Sequence, residues 1–322
     1  MDENCNYQFR PAWWLKNKHL QTLYPVFFSN KNKINLISET LILPDGDTLL
    51  LDWSENKNQT DKPLLVLLHG LEGSSSSPYI QRLMKQALNL DFRSVCMHFR
   101  GCGGVINQQV KSYHAGETED FKFFLKYLAQ KSNFNFVYAV GFSLGGNVLL
   151  KYLGENPSST FIKSAVAVSV PFELADSAES MNKGVSKLYQ WWLLRCLKES
   201  LIEKGNLEKI GISKAELLGM KNFWEFDDKV TAKINGFINV HDYYKKSSSR
   251  QFLNNITTPT LIIHSCDDPF MSPSCIPKPE EISRQVQLEL NSNGGHIGFI
   301  SGKIPFFPEY WLENRIMKYF LK

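Results

Sequence analysis

The chain has 322 residues, 43% hydrophobic and 21% charged, a globular composition that excludes a disordered, collagenous or coiled-coil protein and leaves ample length for a large core. A net charge of +4 from 36 basic and 32 acidic residues lacks the clustered basic stripe of a nucleic-acid binder. Six cysteines (Cys5, Cys96, Cys102, Cys196, Cys266, Cys275) form no C-x-x-C pair and no framework spacing, so reduced thiols are expected, and neither a zinc knuckle nor a disulfide scaffold is.

In chain order, the start Met1-Asp2-Glu3-Asn4 has no charged segment followed by an apolar one, and no stretch is apolar for long enough to span a bilayer. The expectation is a cytoplasmic protein. Residues 1–37 form an arm rich in aromatics (Trp13, Trp14, Tyr24, Phe27, Phe28) and carrying Lys16 and Lys18. Packing over the core is its first expected role, and peripheral contact with a lipid surface, where tryptophan and lysine are favoured, is the second. Residues 38–43 and Thr48–Trp53 flank the turn Pro44-Asp45-Gly46-Asp47 and predict an antiparallel hairpin.

The pattern then changes to continuous apolar runs at Leu64–Leu68, 92–99, 134–140 and 165–170, the style of strands covered on both faces. Between them lie helical periods. Ser77-Pro78 reads as a cap and first-turn proline before Ile80, Leu83, Met84, Ala87 and Leu88, and Phe121, Phe124, Leu125 and Leu128 mark the next helix. This alternation predicts an α/β fold with a mostly parallel sheet, right-handed crossovers and helices on both faces, assigned to residues 38–170 and 256–322. Residues 171–255 lack strand-like runs and read as a helical insertion. There Val185, Leu188, Tyr189, Trp192, Leu193, Cys196 and Leu197 share one helical face that should cover something. Strand grammar returns at 260–264 and 286–290, before a final helix over about 308–320.

The run 134–140 leads into Gly141-Phe142-Ser143-Leu144-Gly145-Gly146-Asn147 and then into helical sequence. A serine on such a strand-to-helix turn projects its hydroxyl off the sheet, and glycines two residues either side avoid backbone clashes. The Leu144 amide then sits at a helix N-terminus, suited to an oxyanion. Phosphate-loop readings fail, because Asn147 stands where the lysine must be. Gly101-Cys102-Gly103-Gly104 also fails as a dinucleotide fingerprint, since Ile106 replaces its third glycine.

A serine nucleophile needs an imidazole and a carboxylate from loops at the same sheet edge. His296, in Asn293-Gly294-Gly295-His296-Ile297-Gly298-Phe299, is the candidate base. His69 reads as framing a backbone turn. Asp267 and Asp268 both follow the 260–264 strand; Asp268, before Pro269-Phe270, is preferred as the acid, with Asp267 capping the turn. In His69-Gly70-Leu71-Glu72-Gly73 the Leu71 amide is the second oxyanion donor, provided that the Glu72 carboxylate points away. No H-E-x-x-H or comparable ligand spacing occurs, so neither metal nor cofactor is expected.

The sequence resembles the YheT-type branch of the α/β-hydrolase superfamily, related to abhydrolase-domain esterases and phospholipases. The similarity runs through His19-Leu20-Gln21-Thr22, the 69–73 and 99–103 loops, Tyr113-His114-Ala115-Gly116-Glu117-Thr118, the 141–147 turn, 267–270 and 294–299. It implies the α/β-hydrolase fold with about eight strands and a helical lid, and the chain order Ser143, Asp268, His296 is that of this fold. It further implies a carboxylic-ester hydrolase acting on an acylglycerol- or phospholipid-like ester. The insertion becomes the expected lid, with Trp192 and Leu193 roofing the pocket and Trp191 and Arg195 facing elsewhere. His19, Arg100 and His114 receive no chemical role. An acyltransferase with the same triad and a non-catalytic ligand-binding protein are the alternatives. Neither acyl-chain length nor oligomeric state is encoded in these motifs.

Overall fold

The computed structural model describes residues 9–28, 34–54, 62–131 and 134–322. Eight strands build the main sheet: β1 (Ile37–Ile42), β2 (Thr48–Trp53), β3 (Leu64–Leu68), β4 (Arg93–Met97), β5 (Val137–Phe142), β6 (Ile162–Val168), β7 (Thr260–Ser265) and β8 (Val286–Asn291). Their order is β1-β2-β4-β3-β5-β6-β7-β8. The β1–β2 and β2–β4 pairs are antiparallel and every later pair is parallel. Because side chains alternate along a strand, the apolar run of β3 serves two cores at once. Leu64, Val66 and Leu68 pack on the side of α3 (Glu119–Lys131) and α4 (Leu144–Glu155). Leu65 and Leu67 pack beneath α2 (Pro78–Asn89) and the C-terminal Trp311–Phe320 helix. This is the doubly covered parallel sheet that the apolar runs predict.

Local differences have local causes. The Ser77 hydroxyl makes no cap bond to α2 and instead accepts from the Ser74 amide at 3.1 Å. β5 starts at Val137 rather than 134 and carries on through Phe142. The last helix starts at Trp311, because Glu309–Tyr310 pairs with Ile300–Ser301 in a two-stranded ladder. In the arm, α1 (Lys18–Phe27) is capped by the Asn17 side chain, which accepts from the His19 amide at 2.9 Å. Residues 1–8 of the arm, Cys5 among them, and 29–33 lie outside the described residues; Cys96, Cys102, Cys196, Cys266 and Cys275 are free thiols.

Between β6 and β7 the chain is helical: α5 (Leu174–Ser180), α6 (Ser186–Lys204), α7 (Leu207–Ile210), α8 (Lys214–Gly219), α9 (Phe223–Phe226), a π-helical turn Asp227–Ala232, α10 (Val240–Ser247) and a 3₁₀ turn Arg250–Asn255. Its apolar side chains, Leu194, Leu217 and Phe226 among them, join the core on the α3 and α4 side. The Trp311–Phe320 helix, now α11, remains on the opposite face. No described helix is long and apolar enough to cross a membrane.

The hairpin is fastened to the parallel strands through Asp52. Its carboxylate accepts from Ser38 and Ser75, both at 2.6 Å, and from His98 Nε2 at 2.9 Å. Burial alone would raise the Asp52 pKa, but the bonds from His98, Ser38 and Ser75 outweigh it and hold the carboxyl down at about 2, from 3.8. A carboxyl whose folded value lies below its unfolded one contributes stability above the unfolded value and loses it as pH falls through the folded one. Asp52→Asn should therefore be less stable than the native chain at pH 7, with the gap narrowing between pH 3.8 and about 2. Urea titrations of both proteins across that interval measure it; a gap unchanged down to pH 2 contradicts the assignment.

Candidate active site

Ser143 follows β5 directly and precedes α4, at φ 50° and ψ −117°, a region that residues bearing a β-carbon rarely occupy. The strain is held by the packing beneath it. A β-carbon on Gly145 would lie 2.5 Å from the Leu68 and His69 carbonyl oxygens, and one on Gly141 would lie 2.4 Å from the Gly145 carbonyl oxygen. Glycine at both places lets the start of α4 rest on the ends of β3 and β5. The Ser143 amide donates to the Val168 carbonyl at 2.8 Å, fixing the turn to β6.

The three side chains singled out in sequence come together. His296 Nε2 lies 3.0 Å from Ser143 Oγ, and its Nδ1 lies 2.8 Å from Asp268 Oδ2. A carboxylate only accepts, so Nδ1 carries the hydrogen and Nε2 is left to accept the serine hydroxyl's proton. Asp268 is buried, and its other oxygen accepts the Phe270 amide at 2.9 Å. The Phe270 ring stacks on the imidazole at 4.0 Å with 7° between planes. Asp267 performs a different task, accepting from Ser265 and, at 2.9 Å, from the Gly295 amide of the histidine loop.

That loop also rests on the N-terminal arm, a support that the sequence patterns do not reveal. Thr22 Oγ1 accepts the His296 amide at 2.9 Å, and the buried Gln21 donates to the Ile300 carbonyl and accepts its amide. A β-carbon on Gly298 would meet the Gln21 carbonyl oxygen at 2.4 Å. His19 Nδ1 lies 3.2 Å from the Tyr189 hydroxyl, and the two rings stack at 5.8 Å, joining α1 to α6. Gln21 and Thr22 stand inside the 19–22 motif, one of those on which the resemblance in sequence rests.

Leu71 and Leu144 line the same cavity as Ser143 and His296. The loop bearing Leu71 is tied at His69 and Gly70: Gly70 N–H donates to Tyr79 at 2.9 Å, and the Phe99 amide donates to His69 Nε2 at 3.2 Å, leaving His69 Nδ1–H to the Gly70 carbonyl at 2.7 Å. Complete burial drops the His69 pKa to about 3, so its imidazole is a neutral brace. Glu72 sits at φ 52° with its carboxylate turned to Tyr113 (2.7 Å) and Ser200 (2.6 Å). Arg100 pairs with Asp120 at 2.6 and 2.7 Å and with Asp45 at 2.6 Å. His114 lines the cavity, and burial lowers its pKa to about 4. Among the described residues no group of three His, Cys, Asp or Glu side chains is arranged to hold a metal ion.

The face of α6 differs from its apolar periodicity. Its buried residues are Ser186, Gln190, Leu194, Lys198 and Leu201, whereas Leu188 and Trp192 are 67% and 56% exposed. Leu193 and Leu197 do line the cavity, but Trp192 does not. The polar members of the inner face earn their burial with backbone partners: Ser186 donates to the Pro269 carbonyl, Gln190 accepts the Phe223 amide, and Lys198 donates to the Leu218 and Met220 carbonyls. A stripe in which Ser186, Gln190 and Lys198 are mixed with Leu194 and Leu201 carries a weak hydrophobic signature, so the apolar residues beside it misdirect the reading.

Residues 63–303 match the family described as alpha/beta hydrolase fold. YheT of Escherichia coli (strain K12) is 43% identical over 315 residues, covering 96% of this chain and 92% of that protein. The phospholipase ABHD3 of Homo sapiens is 29% identical over 322 residues, covering 98% of this chain and 78% of its own length. Among solved structures, an esterase of Pyrococcus furiosus superposes with a TM-score of 0.56 at 17% identity, covering 89% of this chain and 92% of that one, a likeness of fold.

The contact at Gly145 is between backbones and has no flexible side chain to yield. Gly145→Ala should destabilise the protein by about 1–3 kcal/mol, as overpacking of a core does. Urea unfolding measures it, and an unchanged midpoint would contradict the close approach.

Proposed function

The chain belongs to the α/β-hydrolase family, and from that premise we propose that it is a serine carboxylic-ester hydrolase that works through an acyl-enzyme. The observation that carries this reading is the continuous hydrogen-bonded line from Ser143 Oγ through His296 to Asp268, with steps of 3.0 and 2.8 Å, opening on a cavity whose wall includes Leu71, Leu174, Met181, Leu193 and Leu197. Ser143 Oγ attacks the ester carbonyl carbon while His296 Nε2 takes the hydroxyl proton, and Asp268 stabilises the imidazolium so formed. The Leu71 and Leu144 amides receive the oxyanion, the second of them reinforced by the N-terminus of α4. As the tetrahedral intermediate collapses, His296 returns the proton to the departing alkoxide and the acyl group stays on Ser143. Water, deprotonated by the same nitrogen, then releases the acid and restores the serine.

The apolar wall suits an acyl chain, and the names of the relatives point the same way. Phospholipase ABHD3 is one; the monoacylglycerol lipase of Saccharomyces cerevisiae (strain ATCC 204508 / S288c), 29% identical over 299 residues that cover 90% of this chain and 64% of that protein, is another. An acylglycerol- or phospholipid-like ester is the proposed substrate class, with residues 171–255 as the lid, 1–37 as an arm packed on the core, and no cofactor or metal taking part. Peripheral contact with a bilayer belongs to the same reading. On α6, Leu188, Trp191 and Trp192 are exposed beside Lys187, and on the arm side Trp13 and Phe306 are exposed near Lys303, whose carbonyl accepts the Trp13 indole N–H. Indoles and lysines together favour the headgroup region of an anionic leaflet.

Two measurements test this. A fluorophosphonate should label Ser143 and nitrophenyl esters should be hydrolysed; Ser143→Ala should lose both. Asp268→Asn should lower kcat on the order of 10⁴-fold, well beyond the loss in Asp267→Asn. A folded chain unlabelled at Ser143 would favour the binding-protein alternative, and turnover rising strongly with added alcohol would favour acyl transfer. In the second measurement the chain should sediment with phosphatidylglycerol vesicles, less so with phosphatidylcholine vesicles, and least as the Trp191→Ser/Trp192→Ser double variant; no sedimentation with either vesicle sinks the bilayer contact.

A further inference from the structure

The acyl-transfer steps leave one carboxylate of the cavity without a task. Asp227 lines the cavity together with Ser143 and His296. It opens the π-helical turn Asp227–Ala232, and π-turns are rare and frequent at functional sites. Its Oδ1 accepts from the Thr231 hydroxyl and its Oδ2 from the Tyr244 hydroxyl, both at 2.7 Å. Thr231 and Tyr244 line the same cavity. Among the described residues no Lys, Arg or His forms an ion pair with it. Desolvation pushes this carboxyl up to about 6 against the lowering effect of the two hydroxyl bonds.

A wall built only to hold an acyl chain has no use for such a group. Asp227 is half-buried, and a carboxylate partly withdrawn from water and lacking a counter-charge is costly where a leucine would fill the same volume without the penalty. An ionised carboxylate has about four acceptor positions, of which the two hydroxyls take two. The surroundings are aromatic: the Tyr243 and Tyr244 rings lie 5.3 Å apart and Trp224 meets Tyr244 edge-on at 4.9 Å. Such a site accepts a hydrogen-bond donor and repels a phosphate or a second carboxylate.

We infer that Asp227 is a specificity-determining residue that accepts a hydrogen bond from a donor, a hydroxyl or an ammonium group, carried by the substrate away from its reacting carbonyl. The inference rests on the hydrolase reading of Ser143. It divides the cavity into a reacting end at Ser143 and a polar end under the insertion, and excludes an anionic headgroup from the latter.

The test compares the native chain with Asp227→Asn, which keeps size and shape, and with Tyr244→Phe, which removes one competing donor and leaves the carboxylate. Two ester families separate the acyl side from the alcohol side: nitrophenyl octanoate with its ω-hydroxy and ω-amino analogues, and ethyl octanoate with its 2-hydroxyethyl and 2-aminoethyl counterparts. The native chain should turn over at least one donor-bearing ester with kcat/KM about ten-fold above its plain parent, the scale of one charge-assisted hydrogen bond. Asp227→Asn should bring that ratio toward one, and Tyr244→Phe should keep or widen it. Which analogue gains tells hydroxyl from ammonium. A carboxylate that only braces the π-turn would lower every ester together and leave the ratios alone, and that result, or no preference in the native chain, overturns the inference. If Asp227→Asn does not fold, a ratio lost in Tyr244→Phe overturns it too. Fluorophosphonate labelling of Ser143 in the native chain keeps the two readings apart: labelling without any Asp227-dependent preference sinks this one alone, and absent labelling sinks the hydrolase reading.

Discussion

The backbone at Ser143 is the constraint from which the site follows. At φ 50° the residue sits in a conformation that costs on the order of 1–3 kcal/mol and survives only where its surroundings over-determine it. The surroundings are the start of α4, lying on the end of β3 without a side chain between, and β6, which receives the Ser143 amide. The fold thus spends core stability to hold a hydroxyl off the edge of the sheet. Because β3, β5, β6, β7 and β8 run parallel, the loops after them all open at that edge, and Ser143 and His296, separated by 153 positions, meet across 3.0 Å.

The imidazole is placed by the same logic from the opposite direction. His296 lies on a loop where Ile297 and Phe299 also take positive φ, at 58° and 47°. No regular element holds that shape, so the support comes from outside: Thr22 and Gln21 of the arm, Asp267 of the β7 loop, and Ser169 after β6, whose hydroxyl accepts the Ile297 amide. The arm is therefore part of the site's framework, and its aromatic excess has a packing use at Phe9, which meets Phe299 and Trp311. An arm that fixes the histidine loop on one side and meets α6 through His19 and Tyr189 on the other links His296 to the helical segment between β6 and β7.

Legibility followed the range of the interactions. The buried strands could be read because each signals through its own composition, and the serine turn because glycine spacing is a local requirement. The positions of Asp268 and His296 could be read from loops after strands, since parallel topology brings such loops to one edge. The inner face of α6 could not: Gln190 and Lys198 are buried through backbone carbonyls that lie elsewhere in sequence. Nor could Asp227, an acidic residue in a charged helical stretch, distinguished only by the cavity it faces. The arm's grip on the histidine loop is made by the polar side chains of Gln21 and Thr22 and by the close approach of Gly298 to the Gln21 carbonyl, invisible to any count of hydrophobic residues.

Glu72 shows how the fold accommodates a carboxylate beside the loop that carries Leu71. Next to a loop amide suited to an oxyanion, a free carboxylate would oppose the charge forming there. Here both oxygens are claimed by hydroxyl donors, Tyr113 from one side and Ser200 of α6 from the other, and the Glu72 amide donates back to the Tyr113 oxygen at 2.9 Å. The charge is turned from the cavity and made into a tether. Since one end of that tether is on the insertion and the other on the loop that carries Leu71, displacement of α6 breaks a bond that holds the loop in shape. The Ser200–Glu72 bond thus ties the insertion to the loop that carries Leu71, beside the bonds that His69 and Gly70 make within the core.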